Sequence, residues 1–117
     1  KERAFNEWYR EELKRVLEVV VSRCETKTNL HANEYRIKNM RTKWGTCNIG
    51  KKRIWINLQL AKKPVECLEY IVIHELVHLI EKNHTHRFNA LVEQFYPTWK
   101  ETKQLLNSLP LDYIEKE

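Results

Sequence analysis

Apolar residues between positions 4 and 22 recur at Phe5, Trp8/Tyr9, Leu13, Val16/Leu17 and Val20. This three-to-four spacing predicts an amphipathic helix with one stripe against a core. Polar residues from Ser22 to Asn33 then read as a connection, and the alternation at Tyr35, Ile37 and Asn39 suggests a strand near 34–40. A second strand is expected near 53–58, where Ile54, Trp55, Ile56 and Leu58 make a mostly buried run. Between the two lie Gly45 and Gly50, the only glycines of the chain, so a small antiparallel sheet or hairpin is expected. At Pro64 the period returns to helical. Val65, Leu68, Ile71/Val72, Leu76 and Leu79/Ile80 supply a wide apolar face out to about Lys82, with Glu66 and Glu69 near the positive helix end. Asn83 is placed to end that helix in a left-handed conformation, and Thr85 to cap another bearing Phe88, Leu91, Val92 and Phe95. Pro97 breaks it, a last helix is expected over 98–107, and a loose tail follows.

These elements predict an α+β domain: an N-terminal helix, a small sheet, a central helix and C-terminal helices. At 117 residues and 42% hydrophobic content the chain suits one domain over 1–117 with its own core. It opens at Lys1 without a Met and can be the C-terminal part of a longer protein. No apolar run approaches the roughly 20 residues of a membrane span, and the N-terminus lacks a signal-peptide hydrophobic region, so a cytoplasmic protein without a membrane partner is expected. Cys24, Cys47 and Cys67 stand far apart and odd in number, which fits reduced packing thiols better than disulfides.

Charge changes the picture in one stretch. The net charge is +5, yet Arg36, Lys38, Arg41, Lys43, Lys51, Lys52, Arg53, Lys62 and Lys63 fall between Tyr35 and Val65 with no acidic residue among them. Segment 35–65 is therefore a candidate surface for an anionic partner, a nucleotide or nucleic acid. The alternative is a solvated strand face whose cations discourage edge pairing.

The chemistry concentrates in the helix after Pro64, where His74-Glu75-Leu76-Val77-His78 has the H-E-x-x-H spacing. Two histidines four apart lie about 40° from one another on one helix face, where both can bind one metal ion. Glu75 beside them is suited to act as general base toward a metal-activated water. Zinc suits imidazole ligands, and one ion per chain with a coordination position left open is expected. His84, brought back by the break at Asn83, is the expected third ligand; His86 and Glu93 are the competitors. Cys47 is not expected to ligate, since a third histidine and a water already complete such a site.

Three pieces of the chain are similar to the YgjP-like zinc metallopeptidase domain, related to the SprT-like and WLM groups of the zincin superfamily. They are Met40-Arg41-Thr42-Lys43-Trp44-Gly45-Thr46-Cys47; Ile56-Asn57-Leu58 with Tyr70 through Leu79; and Asn83-His84-Thr85 with Arg87-Phe88. Pro97 and Trp99 also match. The resemblance implies a zincin-like fold, a peptide or protein substrate and His84 rather than His86 as third ligand. Glu81 stands where metzincins have glycine, which excludes that group. Lys43 replaces an arginine and Thr46 a serine of the Trp-Gly box.

Trp44, Gly45 and Thr46, with Arg41, are candidate substrate-binding residues if the box borders the cleft. Equally, Trp44 can anchor a hairpin that only completes the core. Oxyanion donors are sought among Tyr96, His86 and Arg87. The leading expectation is thus a zinc hydrolase cleaving peptide bonds. A metal-dependent nucleotide or phosphoanhydride hydrolase using the same site is the first alternative, and a non-enzymatic nucleic-acid-binding module the second.

Overall fold

A computed structural model describes residues 2–108, in the order α1 (Glu2–Thr28), β1 (Glu34–Lys38), β2 (Gly45–Asn48), β3 (Arg53–Asn57), a 3₁₀ turn (Leu58–Lys62), α2 (Val65–Val77), α3 (His86–Phe95) and α4 (Trp99–Ser108). The expected tail lies outside the described residues.

Helix α1 outruns its apolar pattern by six residues. Its buried stripe is Leu13, Leu17, Val20, Cys24 and Thr28, so the period continues through a packing thiol and a polar threonine. The Thr28 hydroxyl donates to the Cys24 carbonyl and accepts from the Leu30 amide, and Asn29 ends the helix with φ 58°. At the other end Phe5 and Trp8, expected on the core stripe, are 66% and 59% exposed.

The sheet corrects the expected strand pairing. β1 and β3 do pair, but in parallel, from Glu34 opposite Arg53 to Lys38 opposite Asn57. The antiparallel hairpin is instead β2–β3, with Gly45 opposite Ile56 and Asn48 opposite Arg53, which makes a mixed sheet of order β1-β3-β2. In its turn Asn48 Oδ1 accepts from the Lys51 amide, and Lys52 rather than a glycine takes positive φ. Ile54 and Ile56 point into the core while Arg53 and Trp55 face away from it.

Fully buried Asn57 sets the path into β2. Its side-chain amide donates to the carbonyls of Met40 and Lys43, and its Oδ1 accepts from the Met40 and Gln59 amides. One side chain thereby fixes segment 40–44 and caps the 3₁₀ turn.

Helix α2 is the centre of the molecule. α1, β2, β3, α3 and α4 all pack on it, and Cys67, Val72, Ile73, Leu76 and Val77 have no exposed surface. It ends earlier than its pattern predicts, at Val77. Amides of Leu79 and Ile80 bond three residues back, tightening the chain into a turn that leaves Ile80 exposed. Asn83 has no positive φ, so the break is made at His78 and not there. Thr85 does cap α3, its hydroxyl accepting from the Phe88 amide. Among the described residues no helix is long and apolar enough to cross a membrane.

Candidate metal centre

Helix α2 presents His74 and His78 from its last turn, and the tightened turn after His78 carries the chain back to His84. The three imidazoles converge: His84 Nε2 lies 3.1 Å from His78 Nε2 and 3.2 Å from His74 Nε2. Three nitrogens bound about 2.05 Å from one tetrahedral zinc ion would stand roughly 3.3 Å apart, so this spacing fits such an ion. No other His/Cys/Asp/Glu trio among the described residues is so placed.

The tautomers fit as well. His78 Nδ1 lies 3.2 Å from the Glu81 carbonyl oxygen, which can only accept, so Nδ1 carries the proton and Nε2 keeps its lone pair for a ligand. Burial, then the neighbouring His78 and His84, push the His74 ring down to about 3, and burial also lowers His78. Both rings are neutral at pH 7, as ligation requires.

Beneath the imidazoles lies Phe88, its ring centre 4.6 to 4.8 Å from all three. It is the buried first-turn residue of α3, and its apolar face excludes water from one side of the cluster. From the sequence Phe88 reads only as a packing residue. Its site role is visible solely in the Arg-Phe pair after His84.

Arg87 and Glu81 hold the loop itself. Glu81 accepts from Arg87 Nη1 at 2.8 Å and from the Thr85 hydroxyl at 3.3 Å, clamping the residues that carry His84. Arg87 is thus engaged as a brace, and Tyr96 is buried, its hydroxyl 3.1 Å from that of Thr102. His86 opens α3 on an exposed position outside the trio, and Glu93 accepts from Trp99 Nε1.

Glu75 faces β2. It is 5% exposed, and burial pushes its carboxyl up to about 8 against the opposing pull of Lys43. A dication beside it would favour the charged form again. Gly45 makes the close approach possible: a Cβ there would lie 3.4 Å from Glu75 Oε2 and 2.8 Å from Ile71 Cγ2. Of the other box residues, Trp44 is half-buried against the core, Thr46 stands on the far face of β2, and Arg41 is exposed in the bend before β2, not gathered to the histidines. Burial and then Glu75 push the Cys47 thiol up to about 11, which keeps it protonated and unsuited to ligation or attack.

A family model described as "YgjP-like, metallopeptidase domain" matches residues 1–109. The chain belongs to the YgjP-like family. Abylysin from Pyrococcus abyssi, solved as a metallopeptidase zymogen, superposes with a TM-score of 0.70 at 21% identity, covering 80% of this chain and 94% of that one. Jannalysin from Methanocaldococcus jannaschii, also a metallopeptidase zymogen, gives 0.68 at 21% identity, covering 79% and 94%. At that identity the likeness is one of fold. Among proteins of curated function, none matches significantly. As a YgjP-like metallopeptidase domain the chain is expected to carry a metal, and the histidine trio is where its residues fit one.

Proposed function

We propose that this chain is a zinc-dependent peptidase in which His74, His78 and His84 hold the ion and Glu75 is the general base. The observation that carries the reading is the convergence of three Nε2 atoms on one side of α2, with a buried carboxylate on the same helix facing the sheet edge. A purely structural site needs no such carboxylate.

Bound zinc would supply Lewis acidity toward a water and the scissile carbonyl. Glu75 takes a proton at a carboxylate oxygen and returns it to the leaving amine. β2 is the strand that positions a substrate. The Trp44 carbonyl accepts from the Asn57 amide, and the antiparallel alternation then turns the backbone groups of Gly45 and Cys47 off the sheet. An extended peptide can add there as a fourth strand. With no side chain at Gly45, nothing separates its backbone from Glu75.

Phosphate-bearing substrates fit less well. Of the nine cations in 35–65, four are engaged away from the histidines: Arg36 and Arg53 pair with Glu34, Lys38 lies over Trp55 and Lys62 over Tyr9.

Metal content of freshly purified protein by mass spectrometry, with cleavage screens on mixed peptides and on nucleotides, tests the reading. About one zinc per chain, lost in His74→Ala/His78→Ala, is expected. Glu75→Gln should keep the zinc while peptide turnover falls about 10²- to 10⁴-fold. Undiminished turnover would remove Glu75 from the mechanism, and nucleotide cleavage without peptide cleavage would replace the substrate class.

A further inference from the structure

The outer face of β2 borders a hollow of about 530 Å³ whose walls include Lys38, Thr46, Asn48, Trp55 and Lys82. Among the described residues, no acidic one lines it. Lys38 Nζ stands 4.8 Å from the centre of the Trp55 ring on the outward face of the sheet, a cation–π contact that holds the ammonium over the hollow. Lys82 reaches it from the loop between α2 and α3, two residues before His84.

Two neighbouring carboxylates are committed elsewhere. Glu34 is bound by Arg36 and Arg53, and Glu81, next to Lys82, by Arg87 and Thr85. The hollow therefore presents two ammonium groups with no counter-charge among the described residues of its walls, beside the strand edge proposed to receive a peptide.

Strand geometry decides which part of a peptide meets them. Side chains of a strand added to β2 alternate between the face shared by Gly45 and Cys47, toward α2, and the face shared by Thr46 and Asn48, toward the hollow. We infer that the hollow is a specificity subsite that selects an aspartate or glutamate side chain at alternate positions of an extended peptide substrate. The inference rests on the peptidase reading and adds to it the chemistry of the substrate.

Binding tests it apart from turnover. Two labelled peptides of equal length, one alternating Ala and Glu and one alternating Ala and Lys, are titrated by fluorescence anisotropy into full-length Glu75→Gln protein, with and without zinc. The Glu peptide should bind about tenfold more tightly at low salt, the yield of two partly exposed ion pairs, and the preference should shrink as salt rises. Adding Lys38→Glu/Lys82→Glu should reverse the preference, and Lys38→Arg/Lys82→Arg should keep it. Equal binding of the two peptides, or a preference that survives the charge reversal, would overturn the subsite.

Sequencing the products of a mixed-peptide digest by the wild-type protein separates the two readings. Glu75-dependent cleavage without acidic residues at alternate positions overturns the subsite alone. Absence of any Glu75-dependent cleavage overturns the peptidase reading, and the substrate subsite with it. A single-stranded oligonucleotide that binds through Lys38 and Lys82 where the Glu peptide does not would reassign the surface to nucleic acid.

Discussion

Gly45 shows how one missing side chain shapes the site. The strand lies so near α2 that a Cβ would meet Ile71 Cγ2 at 2.8 Å and the Trp55 carbonyl oxygen at 3.1 Å. The second neighbour is backbone and cannot rotate away, so β2 would have to move off the helix. Gly45→Ala should cost about 1 to 3 kcal/mol in urea unfolding and lower peptide turnover more than zinc content, because the strand edge shifts relative to Glu75 while the histidines stay. Wild-type stability and turnover in this variant would show that the close approach is not needed. At the same scale, the Nδ1–H of His78 is committed to the Glu81 carbonyl, so a backbone atom, not another side chain, orients that ring.

Among the elements, the link between α1 and β1 depends on Glu25. Its carboxylate accepts from the Tyr35 hydroxyl at 2.6 Å and the Ala32 amide at 3.1 Å, and meets His31 Nδ1 at 3.1 Å. Burial opposes the charge, but these hydrogen bonds together hold the Glu25 carboxyl below its ordinary 4.5. A folded-state value below the unfolded one means stability that is present above about 4.5 and lost as pH falls through the lower folded value. Glu25→Gln should therefore be less stable than wild type at pH 7, and the gap should close in acid below pH 4.5. A gap of constant size in denaturant titrations across that range would show that the charge itself contributes nothing. The turn after His78 matters in the same way for the site: it is Thr85, capping α3, that halts the loop where His84 meets the other two rings. Thr85→Ala should cost about 1 kcal/mol of stability, with weaker zinc retention on dialysis against a chelator; unchanged retention would separate the cap from the site.

For the whole molecule, a metal ion held by α2 and by the loop before α3 would tie the central helix to the C-terminal half. Zinc at a hundredfold excess over its dissociation constant would add about 2.7 kcal/mol, or roughly 10 °C in Tm for a domain of this size. Calorimetric scans with zinc and with chelator should show that difference, and His74→Ala/His78→Ala should abolish it. A Tm insensitive to zinc in the wild type would reject a site formed only in the folded state. The charge of segment 35–65 also has its meaning at this scale. Its cations are not held as one patch: Arg36 and Arg53 pair with Glu34, Lys62 lies over Tyr9, and Lys38 lies over Trp55 beside the hollow that Lys82 also lines.

By itself the sequence determined what rests on local spacing. The α+β class, the helix bearing His74, Glu75 and His78, the cap at Thr85 and the last helix follow from periodicity and capping, which act over a few residues. The ends of the long helices were harder: Cys24 and Thr28 complete the stripe of α1 from within a stretch that reads as a polar connection, and α2 stops at Val77 although Leu79 and Ile80 continue its pattern. The tertiary structure alone decided the pairing of strands, because four-residue β2 has almost no local pattern and its place is set by Asn57 and by packing on α2. It also decided that Phe88 lies under the three imidazoles and that Lys82 and Lys38 line one hollow. These are contacts between residues distant in the chain, and they form only when the helices and sheet close on a common core.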